Sequence, residues 1–133
     1  MVYALGESMS REDYIDISLE LDKIGLVWHP EIGDEISLRG QERQVSILVD
    51  PQGLTPRELR HSFVWLPTVE QLVTQIEARQ GLIFHAGVTE TLEYEAIIKV
   101  HLGLVEAKAT SLRVAFGKAL SSIIEHKCQT ALH

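Results

Sequence analysis

Residues 94–124 constrain the fold more than any other stretch of this sequence. Two alternating runs, Tyr94–Val100 and Leu104–Ala109, flank the turn His101-Leu102-Gly103, which is typical of an antiparallel hairpin. Thr110 or Ser111 can then cap a helix. The apolar residues of that helix recur on one face and include two alanines one turn apart: Leu112, Ala115, Phe116, Ala119, Leu120, Ile123 and Ile124. The sequence therefore predicts a sheet that ends in a hairpin–helix unit, with the helix packed closely on the sheet.

Upstream of this unit, strand signals come in adjacent runs and do not alternate strictly with helices. Ser10, Thr55 and Thr68 each precede a helical pattern and can act as caps. The extended segments ahead of the hairpin are Leu26–Trp28, Glu35–Leu38, Arg43–Val49, Phe63–Leu66 and Leu82–His85. Adjacent strands favour antiparallel pairing. We predict an α+β fold with a mainly antiparallel sheet of about five or six strands and about three to four helices packed on it.

The length and the cysteine content favour a single intracellular domain. The 133 residues fit one domain, and we expect residues 1–127 to form it, with residues 128–133 as a frayed C-terminal tail. Cys128 is the only cysteine, so no disulfide can form within the chain, which suits a reducing compartment. No apolar run approaches the roughly 18–20 residues of a membrane span. We therefore expect a soluble, cytoplasmic protein that does not enter the membrane.

The charge is concentrated in the first quarter of the chain. The net charge is −7, and residues 1–35 hold nine acidic residues against two basic ones. This polarity is typical either of a solvated helix face or of a docking surface for a basic partner. We identify Asp13, Asp16 and Glu20 as candidate partner contacts on that surface.

Binding to nucleic acid is disfavoured because it requires a basic footprint, and the overall balance is acidic. A local basic face built from four arginines remains the alternative: Arg39, Arg43, Arg57 and Arg60.

Motifs that carry catalysis or bind cofactors are absent. The sequence contains neither Gly-x-x-x-x-Gly-Lys-Ser/Thr nor Gly-x-Gly-x-x-Gly, and it lacks Gly-x-Ser-x-Gly. No two histidines have the spacing of a helical metal site. The sequence therefore predicts no cofactor and no metal, and it favours a protein that is not an enzyme.

Two tryptophans offer a different kind of signal. Trp28 and Trp65 each lie in a short apolar stretch before a proline. Such residues either pack in the core or, exposed at the end of an element, anchor a partner. Both are candidate partner contacts.

Two functional hypotheses follow. The leading one is a non-enzymatic accessory or regulatory protein that acts through protein–protein contacts with an unidentified protein partner, and that forms homo-oligomers through its strand edges. The alternative is a small ligand- or metal-binding domain or enzyme. Its site would gather a mixture of imidazoles and carboxylates in one cleft: His29, Asp34, Glu35 and His85.

Overall fold

The computed structural model describes residues 2–7 and 12–131, with the side chains of Val2 and of residues 14–126. Its contacts divide the chain into two compact units, residues 1–67 and residues 68–133. Each unit contains helices and an antiparallel sheet, so the predicted α+β class is confirmed. The expectation that residues 1–127 behave as one domain stays a prediction.

The first unit contains four strands and two helices. They are β1 (Val2–Glu7), α1 (Glu12–Lys23), β2 (Glu35–Leu38), β3 (Gln44–Leu48), α2 (Pro56–Ser62) and β4 (Phe63–Trp65). The strands pair antiparallel in the order β1-β3-β2-β4, so β3 and β2 are central. Its fully buried apolar side chains come from α1, from three of these strands and from the two residues after β4: Ile15, Leu21, Ile36, Val45, Leu48, Val64, Leu66 and Pro67.

One strand predicted in this unit is wrong. Residues 26–28 pair with no strand of the described chain, although Leu26 and Trp28 are buried and Val27 between them is exposed. The side chains of this segment therefore alternate between buried and exposed without any strand pairing. The backbone N–H of Leu26 donates to Leu21 O at 2.9 Å, so this segment begins as the capping turn of α1.

The second unit contains a three-stranded sheet and two helices. They are α3 (Val69–Ala78), β5 (Leu82–Val88), β6 (Tyr94–Val100), β7 (Gly103–Ala109) and α4 (Leu112–Ala131), with the strand order β5-β6-β7. The hairpin and the helix after it confirm the predicted hairpin–helix ending. The helix α4 packs on β6 and β7, and α3 packs against α4 and β5. Small side chains fill the layer between helix and sheet: Ala96, Ala107, Ala109, Ala115 and Ala119.

Three features of the described chain differ from the sequence-based predictions. The strand β1 was not predicted, and the seven strands form two sheets where one was expected. Alternation shows which face of a strand is buried, but it does not identify the neighbouring strand. The helix α4 extends to Ala131, so it includes the first residues of the segment 128–133, and the fraying of that segment stays a prediction. Residues 132 and 133 lie outside the described residues.

No helix in the described part of the chain is both long enough and apolar enough to cross a membrane.

The C-terminus of α3 is closed by two backbone hydrogen bonds. The N–H of Gly81 donates to Ile76 O at 3.0 Å, and the N–H of Gln80 donates to Glu77 O at 2.9 Å. This is the Schellman arrangement, and its left-handed residue is Gln80, with φ of 65°. Gly81 is required for another reason, because a Cβ there would lie 2.6 Å from the Cγ2 atom of Ile76 and 3.0 Å from that of Ile98.

Substitutions at Gln80 and Gly81 should differ in their effects on stability, although the two residues are neighbours. Gly81→Ala should lower the free energy of unfolding by about 1–3 kcal/mol, because the added methyl group overpacks the contact between α3 and β6. Gln80→Gly should leave stability unchanged or raise it by up to about 1 kcal/mol, because glycine adopts a left-handed conformation without strain. Urea denaturation of both variants measures the difference, and equal effects would contradict this account.

Two capping boxes begin α2 and α3, as the sequence predicts. Thr55 accepts from the N–H of Glu58 at 3.2 Å and returns its own N–H to Glu58 Oε1 at 3.1 Å. Thr68 and Gln71 form the same pair of bonds. Only the first box contains an ionisable group. The backbone and then the side-chain hydrogen bond with Thr55 lower the pKa of Glu58 below its ordinary value of 4.5.

The box at Thr55 should make stability depend on pH. Because the folded-state pKa of Glu58 is lowered, its contribution is present above pH 4.5 and is lost as the pH falls through the folded value. Glu58→Gln should therefore lose less stability than the parent between neutral pH and about pH 3. Gln71→Glu places a carboxylate in the second box, so this variant should lose more stability than the parent over the same pH range. Parallel stability–pH curves for all three proteins would rule this out.

Candidate functional site

Trp28 and Asp34 form a buried hydrogen bond in the first unit. Their residues are only 4% and 5% exposed, and the indole Nε1–H of Trp28 donates to Asp34 Oδ2 at 2.8 Å. The same oxygen accepts the backbone N–H of Glu31 at 2.9 Å. The sequence suggested Trp28 as a partner contact and Asp34 as a ligand-site carboxylate. The structure brings them together inside the unit, and their roles in binding stay predictions.

The turn that contains Asp34 is bonded into the sheet. The N–H of Gly33 donates to Leu48 O at 2.8 Å, and the N–H of Leu48 donates to Asp34 O at 2.9 Å. Glu35, the next residue, begins β2 and accepts the N–H of Leu66 through its carbonyl at 2.8 Å. The Asp34 carboxylate therefore anchors the point where the chain enters the central part of the sheet.

A second chain of polar contacts connects α1, β2 and α2. The Arg39 guanidinium forms a bidentate ion pair with Asp22, at 3.0 and 3.1 Å, and donates to the carbonyl of Arg60. The Arg60 guanidinium donates in turn to the carbonyl of Trp28 at 3.0 Å. Arginine suits this position because its planar group holds several acceptors at once.

The acidic residues selected from the sequence are on or near α1. Asp16 is exposed and pairs with Arg43 at 2.6 Å. Glu20 is exposed as well. Asp13 is part of the helix, but its side chain lies outside the described residues. Since Asp16 and Asp22 are both paired with arginine, the acidity of this surface is lower than the sequence suggests.

The same contacts involve the arginines of the possible basic face. Arg39 and Arg43 form ion pairs with acids of α1, and Arg60 donates to a backbone carbonyl. Arg57 is exposed in the first turn of α2. Three of the four arginines are therefore engaged within the first unit.

Trp65 lies in the edge strand β4. Its side chain is buried, and its indole Nε1–H has no hydrogen-bond partner among the described residues. The structure therefore places both tryptophans in the interior of the first unit. Their suggested role as partner contacts stays a prediction.

The residues of the alternative site are divided between the units. His29, Asp34 and Glu35 belong to the first unit and His85 belongs to the second. His29 is exposed, whereas Asp34 is buried against Trp28. Within the described residues, no group of three or more histidine, cysteine, aspartate or glutamate side chains could hold a metal ion.

In the second unit, His85 lies on the face of the sheet opposite the buried alanines that pack toward α4. Three rows of paired residues form this open face: Leu82–Lys99–Leu104, His85–Ile97–Glu106 and Gly87–Glu95–Lys108. Glu95 Oε1 is 3.8 Å from His85 Nε2, and its other oxygen is 3.8 Å from Lys108 Nζ. The Glu95 carboxylate thus lies between two nitrogen groups on an exposed surface. Both distances are longer than hydrogen bonds, so these three side chains form a loose surface cluster and not a tight binding site.

The strand β5 is an edge of this sheet and carries exposed apolar side chains. It pairs only with β6 in the described chain. Leu82, Phe84 and Val88 are 62%, 66% and 55% exposed. A register shift between Ile83 and His85 makes Phe84 an extra residue at a bulge. An uncharged edge with unpaired backbone groups is a template for another strand.

Sequence reasoning identified His85 but not the edge around it. The predicted strand ended at His85, so the exposed run to Val88 was outside it. A usable signal was present, because residues 82–88 contain no acid, lysine, arginine or proline. Such a strand needs burial or a partner, but the sequence alone does not show that it is at an edge.

Comparison of the chain with protein-family models, with curated proteins and with solved structures found no match.

The buried carboxylate should be important for stability in the first unit. Asp34→Ala should lower the free energy of unfolding by about 3 kcal/mol, because it leaves a buried indole N–H without an acceptor. Asp16→Ala removes an exposed ion pair and should cost less than about 1 kcal/mol. In a double-mutant cycle, Trp28→Phe and Asp34→Ala should couple by about 1–3 kcal/mol. Urea denaturation gives all of these values, and additive effects in the cycle would refute the bond's role.

Proposed function

We propose that this protein is an accessory or regulatory protein of the cytoplasm that acts through protein–protein contacts, and that it does so as a homo-oligomer. In this oligomer, the outer edge of β5 pairs with the outer edge of β5 in a second copy. Two identical strands paired antiparallel are related by a twofold axis, so each strand supplies the same surface to the other. The two three-stranded sheets then continue into one another across the interface.

The apolar edge of β5, which carries no acid, lysine, arginine or proline, is the observation that carries this proposal. Natural sheets protect their edges with charged residues, proline, bulges or very short strands, and of these β5 has only the bulge at Phe84. The other edge of this sheet follows that rule, because β7 presents Glu106 and Lys108 to solvent. The seven residues of β5 include no such charge. The difference between the two edges supports pairing at β5 over pairing at β7.

Phe84 supplies the apolar anchor of the interface. The bulge displays its side chain at the edge, where it is 66% exposed. Aromatic residues are enriched among those that dominate binding energy at interfaces. Leu82 and Val88 extend the apolar surface toward both ends of the strand.

A second copy fits this edge better than a charged partner does. Residues 68–133 hold six basic and seven acidic residues, whereas residues 1–67 hold six and twelve. The unit that carries β5 is therefore close to neutral and repels a copy of itself only weakly. The sequence suggested the acids of α1 as a docking surface for a basic partner. The ion pair between Asp16 and Arg43 weakens that alternative, because it neutralises one of these acids.

Oligomeric state measured by light scattering after gel filtration tests the proposal. The parent protein should be a dimer, and Phe84→Lys should raise the dimer dissociation constant by about thirtyfold or more, because it removes the anchor and charges the edge. The circular dichroism spectrum should be unchanged, since Phe84 contributes little to the core of the unit.

Leu104→Lys is the matched control. Leu104 is a similarly exposed residue of the same sheet, but it is in β7. The Leu104→Lys variant should therefore remain a dimer. A monomeric parent protein would overturn the proposal. Dissociation by both variants would assign the interface to the open face and would equally overturn pairing at β5.

A further inference from the structure

A hollow in the second unit lies beside the turn between β6 and β7. Its volume is about 230 Å³, and an adjoining hollow of about 370 Å³ shares several of its lining residues. The first hollow by itself is somewhat smaller than the roughly 300–1,000 Å³ of a drug-sized site, so it suits a compact ligand. The walls come from the C-terminus of α3, the hairpin turn and α4. All of these elements belong to one unit.

The smaller hollow combines an apolar wall with a rim of nitrogen groups. Val105 and Ile123 form part of the wall, and Leu102 extends it at the tip of the turn. Arg79, His101 and His126 supply the nitrogen groups that line it. Among the described residues, no carboxylate lines this hollow, whereas its neighbour includes Glu125. Its polar groups therefore favour a negatively charged ligand group.

The Arg79 guanidinium is held in position by its own helix. Its Nη1 atom donates to the backbone oxygen of Gln75 at 3.0 Å and to the Gln75 side-chain oxygen at 2.8 Å. No ion pair of the described residues includes Arg79. Its remaining N–H groups can form the fork that binds a carboxylate through two parallel hydrogen bonds.

We infer that this hollow binds a compact monocarboxylate with an apolar body. The carboxylate pairs with Arg79, and the imidazole of His101 offers a further N–H donor, which it has in either protonation state. The apolar body lies against Leu102, Val105 and Ile123. This binding function is separate from the pairing at β5, because it uses neither the residues nor the backbone of that strand.

Nuclear magnetic resonance titration of the full chain with hexanoate tests this site. Hexanamide has the same apolar body without the charge and is the comparison ligand. Hexanoate should shift the amide signals of residues 79–81, 100–105 and 122–126. Its affinity should exceed that of hexanamide by about tenfold, as expected for a charge-assisted hydrogen bond.

Variants of Arg79 separate the carboxylate contact from apolar binding. Arg79→Gln should reduce the affinity for hexanoate to that for hexanamide, and Arg79→Lys should restore part of the difference. Arg57→Gln is the control, because it removes one exposed positive charge from the other unit. Retained preference for hexanoate in folded Arg79→Gln would overturn the inference, as would equal binding of both ligands by the parent or signal shifts confined to other residues.

Discussion

The buried carboxylate of Asp34 is the constraint on which the first unit depends. A single oxygen accepts the indole N–H of Trp28 and the backbone N–H of Glu31. A charged group in the interior is costly unless donors of this kind surround it. Because β2 begins at the next residue, the position of the carboxylate also sets where β2 meets its neighbours on both sides.

In the second unit, side-chain size is the corresponding constraint. Alanines on β6, β7 and α4 allow the helix to lie close to the sheet. The helices α3 and α4 both pack against strands of this sheet. The edge at β5 is open for a separate reason, because β5 pairs only with β6 in the described chain. The same close approach brings the hairpin turn near the end of α4, where the hollow with Arg79 forms.

The candidate residues show why a sequence predicts residue types better than their roles. Trp28 and Asp34 were assigned to two opposed hypotheses, and the structure unites them in one hydrogen bond. Asp16 contributed to the predicted acidic surface, but its charge is balanced by Arg43, which is 27 positions away in the sequence. Phe84 was predicted as part of a strand, whereas its exposure results from a bulge. In each case, the deciding contact comes from a distant residue or from the pairing of strands.

The sequence by itself determined the local elements of this protein. Periodicity located the hairpin and the last helix, and capping residues located the starts of α2 and α3, because these signals act within a few residues. Only the tertiary structure decided that residues 26–28 are not a strand, that the strands form two sheets, and that β5 is an edge. Strand pairing joins residues that are far apart in sequence, and alternation is the same whichever neighbour a strand has.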